Sequence, residues 1–269
     1  MIFIAHYIVC RMNSITQICA HFFLLSLAFG TQLFSPVVST KLTGVGFYKL
    51  GTSIVLSSLI LALGLDYYMN PGLLKLEWSC YVILLLTNAV TFITHKDSKT
   101  CWMWLVYILQ IMTFCVLTFN IFSFDPIWII FFFMSMTLLG ISNFSMLLGH
   151  YYLVTPKLSE EPLIYCLFIF LICFFLKVIS SISVVLSLGL PYFSEGSILG
   201  DGYLYNWLFV SMRYLWGFIA PIILILFTYR LCKMRSLQSA TGVLYIVEFF
   251  VIVGELISVY LMARHGLPL

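Results

Sequence analysis

Apolar residues run through this chain in long blocks, and polar and charged residues collect in the short stretches between them. Eight of the blocks approach or exceed the length that a helix, rising about 1.5 Å per residue, needs to cross an apolar bilayer core. They are expected at 16–38, 50–65, 78–94, 101–122, 127–149, 163–188, 207–229 and 239–262, the second being somewhat short. Turn chemistry marks the breaks. Asn70-Pro71-Gly72, the polar run His95–Lys99, Asp125-Pro126 and the segment around Pro156 each stop a helix or turn the chain. The longest connection is Leu190–Asn206, acidic and containing glycine. Ahead of the first block, residues 1–11 form an apolar run too short to span, and a start at Met12 leaves the conventional opening MNSITQ.

Composition narrows the class. The chain is 62% hydrophobic and 9% charged, against roughly 25% charged residues in an ordinary soluble domain. The expected fold is therefore all-α: one polytopic transmembrane bundle, with lipid as its main partner and no second soluble domain. A formal net charge of +3 is too small to imply nucleic acid. The eight cysteines contain no CxxC pair. Those inside apolar runs, such as Cys166 and Cys173, are expected to pack as small hydrophobes.

Charge also orients the chain. With eight spans, one face carries Arg11, Lys75 and Arg264, whereas the other carries Lys41, Lys49, Lys96, Lys99, Lys157, Arg230, Lys233 and Arg235. The positive-inside bias puts the second set in the cytoplasm and both termini outside it. A bacterial cytoplasmic membrane is the expected location. The same count argues against cleavage after the first block as a signal peptide, since cleavage would translocate Lys41 and Lys49.

The candidate chemistry lies inside the spans. Glu248 and Glu255 stand seven residues apart in the last block, close to two helical turns, so they point the same way. A carboxylate near the middle of a membrane helix costs about 2.5–3.5 kcal/mol on insertion scales. Lys177 in the sixth block and Arg213 in the seventh are the natural partners. At about 1.5 Å per residue from the external end, Arg213 and Glu255 lie about 10 Å deep, Lys177 about 17 Å and Glu248 about 21 Å. Depth thus pairs Arg213 with Glu255 and Lys177 with Glu248. Such a cluster serves either as a lock between helices or as a proton, ion or anion site.

Two histidines offer a second possibility. His95 and His150 fall at the ends of the third and fifth spans, on the same side, where a haem b would need two imidazoles from different helices at one depth. No cluster of ligands suggests a structural or catalytic metal. Tyr151–Leu158, YYLVTPKL, resembles a helix-end segment of the catalytic subunit of haem–copper oxidases, but the likeness covers eight residues of 269. The paired-histidine helices of that family are absent, so the resemblance implies no site residue. An interfacial cap, with tyrosines at the headgroups and Pro156 ending the helix, accounts for the same residues.

No catalytic triad, phosphate loop or dinucleotide fingerprint appears, so enzymatic activity is not expected. The leading expectation is a transporter or an ion or proton conduit built on Lys177, Arg213, Glu248 and Glu255. The alternatives are a haem- or quinone-binding membrane subunit of a redox complex, near His95 or His150, and a structural or assembly protein. Other membrane subunits are candidate partners beside the lipid bilayer.

Overall fold

The computed structural model describes residues 15–38, 40–69, 75–94, 101–121, 126–155, 158–186, 203–265 and 269. The run before Met12, the Asn70-Pro71-Gly72 turn, the His95–Lys99 loop, Pro156-Lys157 and residues 190–202 lie outside them. The described residues are 96% helical and contain no strand. The elements are α1 (Ile15–Phe34), a 3-10 turn (Ser35–Val37), α2 (Thr40–Met69), α3 (Lys75–Thr94), α4 (Cys101–Ile121), α5 (Pro126–Val154) and α6 (Glu161–Val184). After them come α7 (Tyr203–Tyr214), a π-helical turn (Leu215–Ile219), α8 (Ala220–Lys233) and α9 (Leu237–His265). α7, the π turn and α8 form one rod, which supplies the seventh span.

Among the described residues, eight helices are long and apolar enough to cross a membrane, as the block pattern predicts. Helices are the expected form there, because only they satisfy every backbone polar group within the segment. The boundaries differ most in the second span, which runs Thr43–Tyr68 rather than 50–65. The sequence reading cuts this helix at its first charged residues, yet a helix end accommodates them. Lys49 is exposed on α2, with its ammonium 5.8 Å from the centre of the Phe92 ring, and extends from the apolar body as long cationic side chains do. Near its start α2 is broken at Gly44, whose φ of 76° is open to glycine at little cost.

Burial separates inner helices from outer ones. Within their most apolar windows, the first, fifth and eighth spans are 61%, 72% and 50% buried, and the other five lie between 28% and 39%. α1, α5 and α9 thus form a central trio. α2, α3 and α4 pack on the α1 side, and α6 and the α7–α8 rod pack on the α5–α9 side. The α1–α5 contact depends on two glycines. A Cβ added at Gly30 would fall 2.0 Å from the Gly140 Cα, and one added at Gly140 would fall 2.1 Å from the Gly30 Cα. Small residues at such crossings let backbones meet, which is how helices gain contact where lipid supplies no hydrophobic drive.

The α8–α9 connection is a tight turn. Ser236 N–H donates to the Leu231 carbonyl at 3.0 Å and Arg235 N–H to the Cys232 carbonyl at 2.9 Å, the Schellman pattern that satisfies terminal carbonyls. Arg235 occupies its left-handed position at φ 56°, where glycine is usual. The exposed Arg235 also contacts Glu160, Nε to Oε1 at 3.2 Å, a surface pair of small energetic weight.

Replacing Gly140 by Val should lower stability by at least about 1–3 kcal/mol, since backbone stands where the side chain must go. Gly64→Ala is the matched control: its added Cβ meets nothing within 4 Å. Thermal unfolding in detergent micelles checks both. Equal midpoints for the two variants would remove the α1–α5 crossing as a determinant of the fold.

Candidate functional site

The positions of the charged side chains follow from helical register. On α6 the buried residues after Pro162 are Leu163, Cys166, Leu167, Phe170, Phe174, Lys177 and Ser181, a three-to-four-residue stripe. Lys177 falls on that stripe and therefore points inward, while Phe168, Ile172, Phe175, Leu176 and Ile179 on the other faces are exposed. On α9, Glu248 and Glu255 share a buried face with Leu244, Val251 and Ser258. Arg213 comes from the last turn of α7. Its exposure is 0%, and Lys177 and Glu255 are each at 1%.

Three of the four expected residues meet. Arg213 Nη2 lies 2.9 Å from Glu255 Oε1, and Lys177 Nζ lies 3.7 Å from Glu255 Oε2. The 2.9 Å contact joins opposite charges, but no guanidinium N–H is aimed well enough to count as a hydrogen bond. Lys177 Nζ instead donates to Ser135 Oγ at 2.6 Å on α5 and sits 3.6 Å from the centre of the Phe131 ring. The Arg213 guanidinium carbon lies 4.3 Å from the Phe218 ring centre. Each cation thus has one aromatic face as a further partner, and such contacts gain strength when desolvated.

The depth-matched pair Lys177–Glu248 does not form: no cation lies within 4.0 Å of Glu248 among the described residues. Lys177 turns to the carboxylate that Arg213 already holds. Glu248 is about two turns away along α9, only 6% exposed and without a hydrogen-bond partner. Ser142 on α5 is near enough to act on its carboxyl, but the Ser142 hydroxyl proton goes to the Leu139 carbonyl at 3.0 Å. The result is asymmetric, with two cations around one carboxylate and a second carboxylate alone.

Backbone shape makes room for Arg213. A Cβ on Gly254 would stand 2.4 Å from the Gly217 Cα, and one on Gly217 would stand 2.9 Å from Arg213 Nη1. The two glycines let the rod approach α9 and leave the guanidinium space beside them. Gly217 lies in the π turn, where Ala220 N–H bonds to the Leu215 carbonyl five residues back. Pro221 explains that widening: it has no N–H, and its ring would crowd the carbonyl of Gly217 in a regular helix. Single π turns often mark functional positions.

The expected histidine pair fares differently. His95 lies outside the described residues. His150 is exposed, with its Nδ1 2.9 Å from the Tyr245 hydroxyl. The neighbouring tyrosines cap helix ends: Tyr151 donates to the Thr43 carbonyl at 2.6 Å and Tyr152 to the Ser159 carbonyl at 2.5 Å. No group of three or more potential metal ligands occurs among the described residues.

A second polar network is not anticipated from sequence. His21 Nε2 and the Tyr81 hydroxyl are 2.8 Å apart, and Tyr81 donates to Asp66 Oδ2 at 2.9 Å. Because the tyrosine proton goes to Asp66, His21 is assigned as the donor to the tyrosine oxygen, with its proton on Nε2. Asp66 is also 3.3 Å from His21 Nε2. All three residues are buried, as is Glu77 on α3. Asp66 and Glu77 look like loop residues because they flank Asn70-Pro71-Gly72. The extension of α2 to Met69 carries Asp66 into the bundle.

Replacing Glu255 by Gln should destabilise the protein by about 3–5 kcal/mol, the usual cost of leaving a buried ionic partner unpaired. Combining Glu255→Leu with Arg213→Met and Lys177→Met should recover most of that loss. Thermal midpoints in micelles report both outcomes, and an unchanged midpoint in Glu255→Gln would mean that the carboxylate does not hold the two cations. Comparison of the chain with known protein families, characterised proteins and solved structures finds no match.

Proposed function

We propose that this multi-pass membrane protein is a transporter or conduit for protons or small ions, and that Lys177, Arg213, Glu248 and Glu255 form its working site. One observation carries the proposal: two buried cations converge on Glu255, while Glu248, on the same face of the same helix, has no counter-ion among the described residues. A charge sequestered from water without a partner is costly, so Glu248 is suited to taking and releasing a proton. Ionisable groups inside spans characteristically line ion or proton pathways. The π turn beside Arg213 adds a place where the seventh span can change its winding. In this scheme Arg213 holds Glu255 in place, Lys177 shares that carboxylate, and Glu248 exchanges the proton.

A structural clasp is the second reading. The enclosure of Arg213, Lys177 and Glu255 favours it, as does the close Gly217–Gly254 approach, since both suit a fixed joint between α6, the α7–α8 rod and α9. A haem-binding redox subunit draws less support, because His150 is exposed and occupied by Tyr245.

The two roles separate in proteoliposomes loaded with a pH-sensitive dye and driven by an imposed potential. Wild-type protein should carry proton flux above empty vesicles, and Glu248→Gln should lower it at least about tenfold, the equivalent of 1.4 kcal/mol in barrier height, with little change in thermal midpoint. The charge-swapped pair Glu255→Arg with Arg213→Glu, which sets the new cation against Lys177, should recover neither full stability nor flux. Full recovery of flux by the swap would instead support the clasp.

The excess of Lys and Arg on one set of connections further supports an orientation with both termini outside the cytoplasm, in a bacterial cytoplasmic membrane. A reporter fused after Leu269 that is active only in the cytoplasm should therefore stay silent. An active reporter would reverse the orientation.

A further inference from the structure

A proton on Glu248 needs a route to water, and the carboxyl has none of its own: both oxygens are enclosed. The register of α5 against α9 shows which residues stand between it and the surface. Thr241 on α9 donates to the Gly149 carbonyl on α5 at 2.8 Å, so the two helices are level at that point. The fifth and eighth spans run in opposite directions. Ser142, seven residues before Gly149, therefore comes level with Glu248, seven residues after Thr241. On the cytoplasmic side of that level, in the orientation proposed above, these two helices carry four titratable side chains. They are Tyr245 on α9 and His150, Tyr151 and Tyr152 on α5.

Two of the four are already engaged. Tyr151 and Tyr152 each give their proton to a backbone carbonyl. His150 and Tyr245 are linked to each other instead, with Nδ1 2.9 Å from the tyrosine oxygen. His150 is exposed and lies four residues from the end of α5 at Val154, which places it about 6 Å from that helix end, at headgroup depth. Tyr245 is three residues before Glu248. Side chains at that spacing are neighbours on a helix, with Cβ atoms about 5–6 Å apart. Tyr245 is also 46% exposed, so its ring and the exposed imidazole have room to move until the hydroxyl meets the Glu248 carboxyl as well.

We propose that His150 and Tyr245 are the cytoplasmic proton port of Glu248. The port has work to do only if Glu248 exchanges a proton, and so it rests on the role given to that residue above. Each side chain suits its place. Imidazole changes charge closer to neutrality than other unperturbed side chains and carries protons on either ring nitrogen. A phenol hydroxyl donates and accepts at one oxygen, so it hands a proton on without keeping it. In release, Glu248 gives its proton to the Tyr245 oxygen as the tyrosine's own proton passes to His150 Nδ1, and the ring loses its Nε2 proton to water. Each bond to hydrogen that breaks is matched by one that forms. Tyr245 and His150 end neutral, Glu248 ends as a carboxylate, and one proton has reached the cytoplasmic side. Uptake is the reverse.

The dye-loaded proteoliposomes test the port by chemical rescue. His150→Ala should lower proton flux at least about tenfold. Free imidazole in the buffer should restore it, because an exposed position admits a substitute for the missing ring. Tyr245→Phe should lower flux as far, without rescue. Neither substitution should move the thermal midpoint, and imidazole should add nothing to empty vesicles or to Glu248→Gln. Flux that falls in Glu248→Gln but is unchanged in His150→Ala or in Tyr245→Phe would overturn the port and leave the role of Glu248 standing. A loss in His150→Ala that imidazole does not repair would make His150 a structural residue and overturn the port equally. Wild-type protein without flux would remove the role of Glu248 and the port with it.

Discussion

The cost of taking charge out of water governs the C-terminal half of this bundle. Lys177 and Arg213 are two of the largest fully enclosed side chains in the protein, and Glu255 lies between them. Each would be severely destabilising alone. Together they require three elements, α6, α7 and α9, to hold their relative rotation and depth within a narrow range. The supporting groups follow from this demand. Ser135 fixes the ammonium, Phe131 and Phe218 cover the cations, and Gly217 and Gly254 bring the backbones close enough for Arg213 to reach. An ion pair does not explain stability better than a packed apolar core would, but it does specify which helices meet and in what register.

Much of this was legible in the chain, for identifiable reasons. Eight apolar blocks separated by prolines, glycines and charges led to eight helices because in lipid the backbone has few other options. Arg213 and Glu255 were paired by depth alone, and depth works when both helices are straight between the interface and the residue. It failed for Lys177, whose long side chain reached Glu255 instead of Glu248. A flexible four-carbon stem spans about one helical turn, so matching Cα depth cannot choose between two carboxylates on one face. Asp66 was missed for the opposite reason. A charged residue just ahead of Asn-Pro-Gly reads as the start of a loop, whereas tertiary partners, His21 and Tyr81 among them, make its burial tolerable. The π turn had a visible cue in Pro221, but a proline in a span signals a disturbance without saying which kind.

Every span buries polar groups, but among the described residues half of them, 12 of 24, lie on α1, α5 and α9, including His21 and Gln32 on the first, Ser135, Ser142 and Asn143 on the second, and Glu248 and Glu255 on the third. The outer helices contribute partners to them, Asp66 from α2, Tyr81 from α3, Gln110 from α4 and Lys177 from α6. This is the arrangement expected when lipid surrounds the bundle, since a polar side chain turned outward finds no partner and one turned inward finds several.

That concentration also divides the molecule. α5 touches the charge cluster through Ser135 and packs on α2 through Phe144, whose ring centre lies 5.5 Å from that of Phe47, less than three turns apart on one helix. Its partner α1 meets it at the Gly30–Gly140 crossing, where the backbones are in contact and neither helix can turn without moving the other. A change in winding at the π turn beside Gly217 would displace α9, which packs on both α5 and α1. Close-packed apolar side chains between such helices change place in steps rather than continuously. The central trio thus ties the helices packed on α1 to the charge cluster that α6, α7 and α9 enclose.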